Sequence, residues 1–129
     1  VKFFRIASHR FPELKLHMNP GYLVCSDGVD PRWHDAMWQI KDTNEGYCVL
    51  ANRYNIKAKI NMHDSDKFVK AGVAKGEVQT EWWDAQWRFV PLLEDGQNGV
   101  FFIENRFRKH AHLMFDRKLK RLIAGYAPS

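Results

Sequence analysis

Apolar and polar residues alternate in short runs along this chain, and no stretch sustains a helical period for ten residues. The plainest run is Leu14-Lys15-Leu16-His17-Met18, with an apolar side chain at every second position, as on a strand with one buried face. Similar runs rich in aliphatic and aromatic residues predict strands over 3–8, 14–18, 22–25 and 36–40, then 47–51, 57–62, 67–73 and 85–90, then 100–104, 110–115 and 119–124. Turn chemistry separates them. Asn19-Pro20-Gly21, Asn44-Glu45-Gly46, Asp64-Ser65-Asp66 and the stretch from Glu94 to Gly99 supply fixed or positive φ angles where the chain must reverse.

These runs repeat. With Ile6, Leu50 and Ile103 superposed, three further core positions coincide without a gap: Leu14, Ala58 and Ala111; Leu16, Ile60 and Leu113; Met18, Met62 and Phe115. A second element lies between the copies. Trp33-His34-Asp35-Ala36-Met37-Trp38 reappears as Trp82-Trp83-Asp84-Ala85-Gln86-Trp87, a pattern of Trp, a ring, Asp, Ala, any residue, Trp. Self-similarity at this period means one supersecondary unit used several times around a shared core. The expected core is Ile6, Leu14, Leu16, Met18, Trp38, Leu50, Ala58, Ile60, Met62, Trp87, Ile103, Ala111, Leu113 and Phe115. The repeats run at about 1–44, 45–97 and 98–129 within one domain spanning 1–129.

Three copies of a four-strand unit resemble the β-trefoil, an all-β fold whose six-stranded barrel is closed by three hairpins around a pseudo-threefold axis. One departure stands out. Trp38 follows Ile6 by 32 residues and Trp87 follows Leu50 by 37, so the same element after Ile103 would fall near or beyond residue 135, past Ser129. The last repeat is therefore expected to lack its closing strand. A cut chain, an irregular closure or a strand supplied by a partner would each account for it, and an open barrel edge calls for some cover.

Two narrower resemblances follow. The repeats of ricin-type lectins end in Gln-x-Trp; here the tripeptides are Ala36-Met37-Trp38 and Ala85-Gln86-Trp87, so the Trp matches, the Gln does not, and that family's sugar-site residues do not carry over. Over residues 85–113 the chain is similar to the C-terminal trefoil domain of the insect 30-kDa haemolymph lipoproteins, through Ala85-Gln86-Trp87-Arg88-Phe89-Val90-Pro91 and Val100-Phe101-Phe102-Ile103-Glu104-Asn105-Arg106. That similarity implies a secreted or circulating binding protein, although the helical domain that precedes the trefoil in those proteins has no counterpart here.

Composition narrows the class. At 45% hydrophobic and 14% aromatic residues, the chain can fill a core and is not a disordered segment. No apolar run reaches the length of a membrane helix. No signal peptide is visible and the chain begins at Val1, which reads as a processed product, a trimmed chain or a fragment. Cys25 and Cys48 lie in two predicted strands, as buried thiols or as a disulfide.

The net charge of +5 is concentrated. Arg106, Arg108, Lys109, Arg117, Lys118, Lys120 and Arg121 set seven cations against Asp116 alone, leaving 13 basic and 14 acidic residues elsewhere, a balance of −1. This segment reads either as a solvated face or as a polyanion-binding surface for sulfated glycan, acidic membrane, nucleic acid or acidic protein. Fibroblast growth factors, also trefoils, place a heparin site in their third repeat, an analogy at the level of fold.

Candidate ligand chemistry gathers in the loops. Trp33, His34, Trp82 and Trp83 precede the core Trp strands. A flat apolar ring stacks on a pyranose while carboxylates accept from its hydroxyls. The alternative is that the outer Trp rings plug the barrel mouth and that Asp35 and Asp84 bond to turn amides. Because Asp35 and Asp84 recur with Ala, they are expected to be structural, whereas Asp27, Asp30 and Glu77 vary between copies and are better ligand candidates. The first-repeat loops are the first choice of site and the 76–84 loop the second. His63-Asp64-Ser65-Asp66 lacks the glycine and distal Glu of a calcium loop, and His110 and His112 have no third ligand, so no metal or cofactor is expected. No nucleophile elbow, Cys/His pair, phosphate loop or carboxylate pair argues for catalysis. The expected function is non-catalytic carbohydrate binding. The alternative is a protein-interaction or polyanion-binding trefoil of growth-factor or fascin type, with glycans, glycoproteins or acidic surfaces as partners and oligomerisation open.

Overall fold

The computed structural model describes residues 2–19, 22–26, 28–62, 69, 78–92, 99–109, 111–116 and 121–126, with backbone alone at 19, 22–26, 121 and 126. Eight strands are assigned: β1 Lys15–Asn19, β2 Tyr22–Ser26, β3 Trp38–Asp42, β4 Cys48–Asn52, β5 Trp87–Pro91, β6 Phe101–Asn105, β7 Ala111–Asp116 and β8 Arg121–Tyr126. All pairings are antiparallel. β3 to β8 form one sheet in chain order, and β1 and β2 form a separate hairpin.

The pairing reproduces the repeat seen in the sequence. Isolated bridges join Ala7 to Lys15 and Ala51 to Lys59, and β6 meets β7 only at Glu104 and His112. In each copy the first strand thus touches the second at the same two repeat positions. Phe4 pairs with Trp38, and Cys48 with Trp87, again at equivalent positions. Full five-residue ladders join β3 to β4 and β5 to β6. The barrel staves therefore run in the order segment 3–8, β3, β4, β5, β6. A sixth stave, between β6 and segment 3–8, is not among the described residues.

That gap accounts for the weakest of the predicted strands. Residues 3–8 form only the bridges at Phe4 and Ala7. In the second copy, the equivalent β4 draws its full ladder from β3, the closing strand of the preceding repeat. Among the described residues segment 3–8 has no such neighbour, and it is extended without a ladder. Residues 57–62 likewise form bridges instead of a named strand, and most of the predicted 67–73 strand lies outside the described residues.

All fourteen expected core residues lie in or against the core cluster. The depth differs between copies. In the second repeat Leu50, Ala58 and Ile60 are 0% exposed and Met62 2%. Ile6, Leu14 and Met18 of the first repeat, and Ile103, Leu113 and Phe115 of the third, are only partly buried. The second repeat is flanked by staves on both sides; the other two face the gap. Trp38 and Trp87 are wholly buried, and each indole N–H donates to a strand carbonyl at an equivalent position, Leu16 O at 3.2 Å and Ile60 O at 2.9 Å. Burying a ring of that size removes about 150–250 Å² from water, worth roughly 4–6 kcal/mol before ordering costs.

Both Asp-Ala elements differ from expectation. The predicted strands over 36–40 and 85–90 begin only at Trp38 and Trp87, and each is preceded by a 3₁₀ turn, His34–Ala36 and Trp83–Ala85. Ala36 and Ala85 are 0% exposed, the small apolar residue of each turn being wholly buried. The structural service of Asp35 and Asp84 comes through the backbone. Asn52 Nδ2 donates to Asp35 O at 2.9 Å, and Asn105 Nδ2 to Asp84 O at 3.0 Å. The same two asparagines accept, through Oδ1, from the amides of Tyr54 and Asn55 and of Phe107 and Arg108. Ser8, at the matching position of the first copy, accepts from Phe11 N–H. Each asparagine thus anchors one loop and docks one turn.

Cys48 is a free, buried thiol, which excludes the disulfide; burial first, and Asp42 second, push it up to about 12. No helix among the described residues is long and apolar enough to cross a membrane.

Asn52→Ala and Asn105→Ala each remove three hydrogen bonds at sites 0% and 2% exposed. Each should lower the free energy of unfolding by roughly 2–3 kcal/mol, because the stranded carbonyl and amides must find other partners. Ser8→Ala should cost less than either. Urea denaturation of the three variants checks the order.

Candidate functional site

Two turns meet at the second repeat junction, where Arg106 of the third repeat packs on the second. One is the turn joining β3 to β4. Thr43 closes it with both its amide and its hydroxyl, each donating to Tyr47 O, at 3.0 and 2.8 Å. Asn44 at φ 67° and Gly46 at φ 85° take the left-handed backbone that the reversal needs, which suits an asparagine and a glycine. The other is the turn before β5, fixed by Gln86 Nε2 donating to Thr80 O at 2.8 Å. Between them lies a cleft of about 230 Å³ whose polar lining includes Lys41, Asp42, Thr43, Glu45, Thr80 and Glu81, with Gln86 and Val49 behind. Within the lining, the Thr43 hydroxyl is spent on Tyr47 O and Asp42 Oδ1 accepts from the Asn44 amide at 2.8 Å.

Arg106 holds this junction together. Its guanidinium lies 4.0 Å from the Trp83 ring centre and 4.6 Å from that of Tyr47. Nη1 donates to Gln86 Oε1 at 2.6 Å and sits 3.5 Å from Glu45 Oε1, and the Arg106 amide donates to Gln86 O at 2.8 Å. Its side chain is 12% exposed. Grouped with the polyanion cluster on sequence, Arg106 is instead committed to two rings, an amide and a carboxylate, and it is not a cation projecting into solvent. The cation–π geometry orients Trp83 while leaving that residue 51% exposed; Trp82 is 44% exposed.

The preceding junction repeats the frame with different chemistry. Arg53 lies 4.5 Å over Phe3, and its amide donates to Met37 O at 2.9 Å. Arg53 and Arg106 are repeat-equivalent, as are Phe3 and Tyr47, Met37 and Gln86, and His34 and Trp83. Here the guanidinium Nη1 meets the Met37 thioether at 3.0 Å in place of an amide oxygen.

In the first-repeat loop, Trp33 is 45% exposed and packs edge-on to His17, with ring centres 6.1 Å apart. His34 is exposed at the start of its 3₁₀ turn. Both oxygens of Asp30 are engaged by Arg32: Oδ1 by its amide at 2.8 Å and by Nε at 3.0 Å, Oδ2 by Nη2 at 2.8 Å. Those contacts hold the Asp30 carboxyl below its ordinary range. A ligand hydroxyl would have to compete with an arginine of the same turn. Burial lowers the His17 pKa, with Asp35 opposing it.

Of the basic cluster, Arg108 lies 5.6 Å from the Phe107 ring and Lys109 is exposed. Asp27, Glu77, Arg117, Lys118 and Lys120 fall outside the described residues, as does the side chain of Arg121. Among the described residues no three His, Cys, Asp or Glu side chains cluster as a metal site, and His63 to Asp66 and His110 are not described. His112 Nε2 lies 3.1 Å from Glu104 Oε1, and Arg88 Nη2 donates to Glu104 Oε2 at 2.7 Å.

With the geometry in place, solved structures carry the same architecture. A designed threefold-symmetric protein, ThreeFoil, superposes over 98% of this chain and 90% of its own, with a TM-score of 0.72 and 14% identity. The chain is a β-trefoil. Two natural proteins contain a similar trefoil within longer chains. One is a GlcNAcα1-4Gal-releasing endo-β-galactosidase from Clostridium perfringens, with a TM-score of 0.82 and 20% identity over 100% of this chain and 30% of that one. The other is a mosquitocidal holotoxin, with a TM-score of 0.76 and 12% identity over 99% of this chain and 16% of that one. This trefoil thus spans under a third of either natural chain. No protein-family model and no curated protein sequence matches it.

Sequence reasoning placed Trp82 and Trp83 at the trefoil's loop exits but passed over Asp42, Thr43, Glu45, Tyr47 and Glu81. The signal for Arg106 and Tyr47 was present in the repeat alignment, which pairs them with Arg53 and Phe3.

Arg106→Ala removes the stack on both rings and leaves Glu45 and Gln86 unpartnered by it. It should cost about 2 kcal/mol and shift the Trp emission. Arg106→Lys should not restore the wild-type spectrum, because an ammonium cannot lie flat on two rings while donating to an amide. Emission spectra and urea curves of the two variants check both statements.

The Arg88 hydrogen bond holds the Glu104 carboxyl below its ordinary value of 4.5; burial, next in size, opposes it, and His112 adds to the lowering. The folded value is the lower one, so the stabilisation is complete above about pH 4.5 and is lost as pH falls through the folded value. Arg88→Gln should raise the Glu104 midpoint in an NMR titration and flatten the acid limb of the stability curve.

Proposed function

We propose that this trefoil is a non-catalytic carbohydrate-binding domain whose principal site is the junction cleft beside Trp82 and Trp83. One observation carries the reading: Asp42, Thr43, Glu45, Thr80 and Glu81 line one cleft, and Arg106, which contacts Glu45 and Gln86 of that lining, also stacks on the exposed Trp83. Hydroxyl-accepting oxygens around a pinned apolar ring are what a pyranose requires, since its ring edges are polar and its face is not. At about 230 Å³ the cleft is below the roughly 300 Å³ at which drug-sized pockets begin, so it fits one sugar ring or a chain end. The embedding of similar trefoils in a glycan-cleaving enzyme and a toxin supports a targeting module in a longer secreted polypeptide. The reading moves the preferred site from the first-repeat loops to the second junction, because Arg32 occupies Asp30.

A glycan array at physiological salt, carrying neutral and sulfated glycans, tests this. Binding to a narrow set of neutral glycans is expected. Trp83→Ala should weaken it about tenfold, the value of a lost stacking contact of up to ~1.5 kcal/mol, with circular dichroism unchanged. An absence of neutral-glycan binding sinks the proposal. Retention confined to sulfated glycans, with an affinity that collapses in salt, would transfer the function to the basic third repeat.

A further inference from the structure

The first and second junctions share a turn with one carbonyl to be capped, and they cap it with different residues. Asp30 O accepts from Trp33 N–H at 3.0 Å and Gln79 O from Trp82 N–H at 3.2 Å, so Pro31 and Thr80 stand at the same place in the two turns. At the second junction Gln86 Nε2 donates to Thr80 O at 2.8 Å. Met37 stands where Gln86 stands, and its side chain has no N–H to give. At the first junction the donor to Pro31 O is Arg5 Nη2 instead. Arg5 precedes Ile6 as Val49 precedes Leu50, so it holds the repeat position of Val49.

This exchange changes the space between the elements. Val49 and Thr80 both line the junction cleft, and Val49 is only 1% exposed. Their counterparts, Arg5 and Pro31, are joined by a hydrogen bond. A guanidinium therefore spans in the first junction the separation that is open in the second. Its charge reaches the same turn: Arg32 chiefly holds the Asp30 carboxyl down, and Arg5 adds to the lowering. Gln86 caps its carbonyl without crossing the cleft, because it immediately precedes β5 and follows Thr80 by six residues in the chain. Its other end is held by Arg106 Nη1 at 2.6 Å, where the equivalent Arg53 meets only the Met37 thioether. Glutamine at position 86 thus serves the turn and the clamp together, and position 49 is released from both.

We propose that Val49 is a specificity-determining residue of the sugar cleft: with Gln86 capping the turn, the short side chain at position 49 leaves the second junction open to a pyranose, whereas Arg5 fills the corresponding space in the first. The inference rests on the carbohydrate reading of that cleft. It assigns the difference between the junctions to two coupled pairs, Arg5 with Met37 and Val49 with Gln86. The clamping arginine does not distinguish them, since Arg53 and Arg106 both lie over an aromatic ring.

Two measurements test this, and the first needs no ligand. In thermal unfolding, Arg5→Val should lower the midpoint by about 2–5 °C, since Pro31 O loses its donor. Met37→Gln should recover most of that loss in the Arg5→Val background and give no gain where Arg5 is present. Equal effects of Met37→Gln in the two backgrounds overturn the exchange of caps. The second measurement is affinity for a neutral glycan. Val49→Arg should weaken it about tenfold or more, as overfilling a packed site does, with circular dichroism unchanged. Arg5→Val should leave it as it is. Val49→Met is longer than valine but uncharged, so it serves if the arginine variant does not fold, and it should weaken binding to a smaller extent. Undiminished affinity in a folded Val49 variant overturns the role of that residue. If the unaltered chain binds no neutral glycan, the carbohydrate reading and the part of Val49 in it fall together, and the stability cycle alone then decides the exchange of caps.

Discussion

The buried indole that bonds to a neighbouring strand is the interaction on which this fold depends. Trp38 and Trp87 are the largest side chains in the core and neither is exposed at all. Burial alone would hold a Phe there equally well. The indole N–H adds direction: its bond to Leu16 O or Ile60 O ties the closing strand of a repeat to the second strand of the same repeat. Each repeat is thereby closed on itself, while the ladder on the other edge of the closing strand joins it to the next repeat. One residue type at one position sets both the closure within repeats and the order between them.

The asparagines complete this logic at the rim. Asn52 and Asn105 are buried polar side chains, tolerable because each donates one hydrogen bond through Nδ2 and accepts two through Oδ1. Their donors fix the 3₁₀ turns ahead of the Trp strands, and their acceptors fix the loops that carry Arg53 and Arg106. The outer indoles Trp33, Trp82 and Trp83 are therefore held at exposed positions by a rigid backbone. A ligand meeting such rings pays little ordering entropy on binding, which is where preorganised sites gain affinity.

The core was readable from the sequence because each of its positions recurs: the gapless match of Ile6, Leu50 and Ile103 and the positions after them identified strands, spacing and face together. The 3₁₀ turns were not readable. Asp-Ala before a Trp strand carries no helical period, and the reason for the alanine is a tertiary contact that leaves it no exposed surface. The cleft was hidden for a related reason. Asp42 and Glu45 sit on one turn and Glu81 on another, and only the pairing of β3 with β4 and of β4 with β5 brings the two turns together. Arg106 shows the limit of charge counting, since a cation in a basic run can be spent entirely inside the fold.

Symmetry also shows which positions the repeats keep and which they let vary. The threefold frame fixes the backbone at every junction, so side chains there can differ without disturbing the core. Where the frame must be kept, the copies agree: Ala36 with Ala85, Trp38 with Trp87, Asn52 with Asn105. At the junctions they diverge, Met37 against Gln86, His34 against Trp83, Phe3 against Tyr47. The first junction becomes a thioether and phenyl contact, the second a polar cleft with a clamped indole. At the second junction Arg106 stacks on Trp83 and Tyr47 beside a cleft lined by Asp42, Glu45 and Glu81.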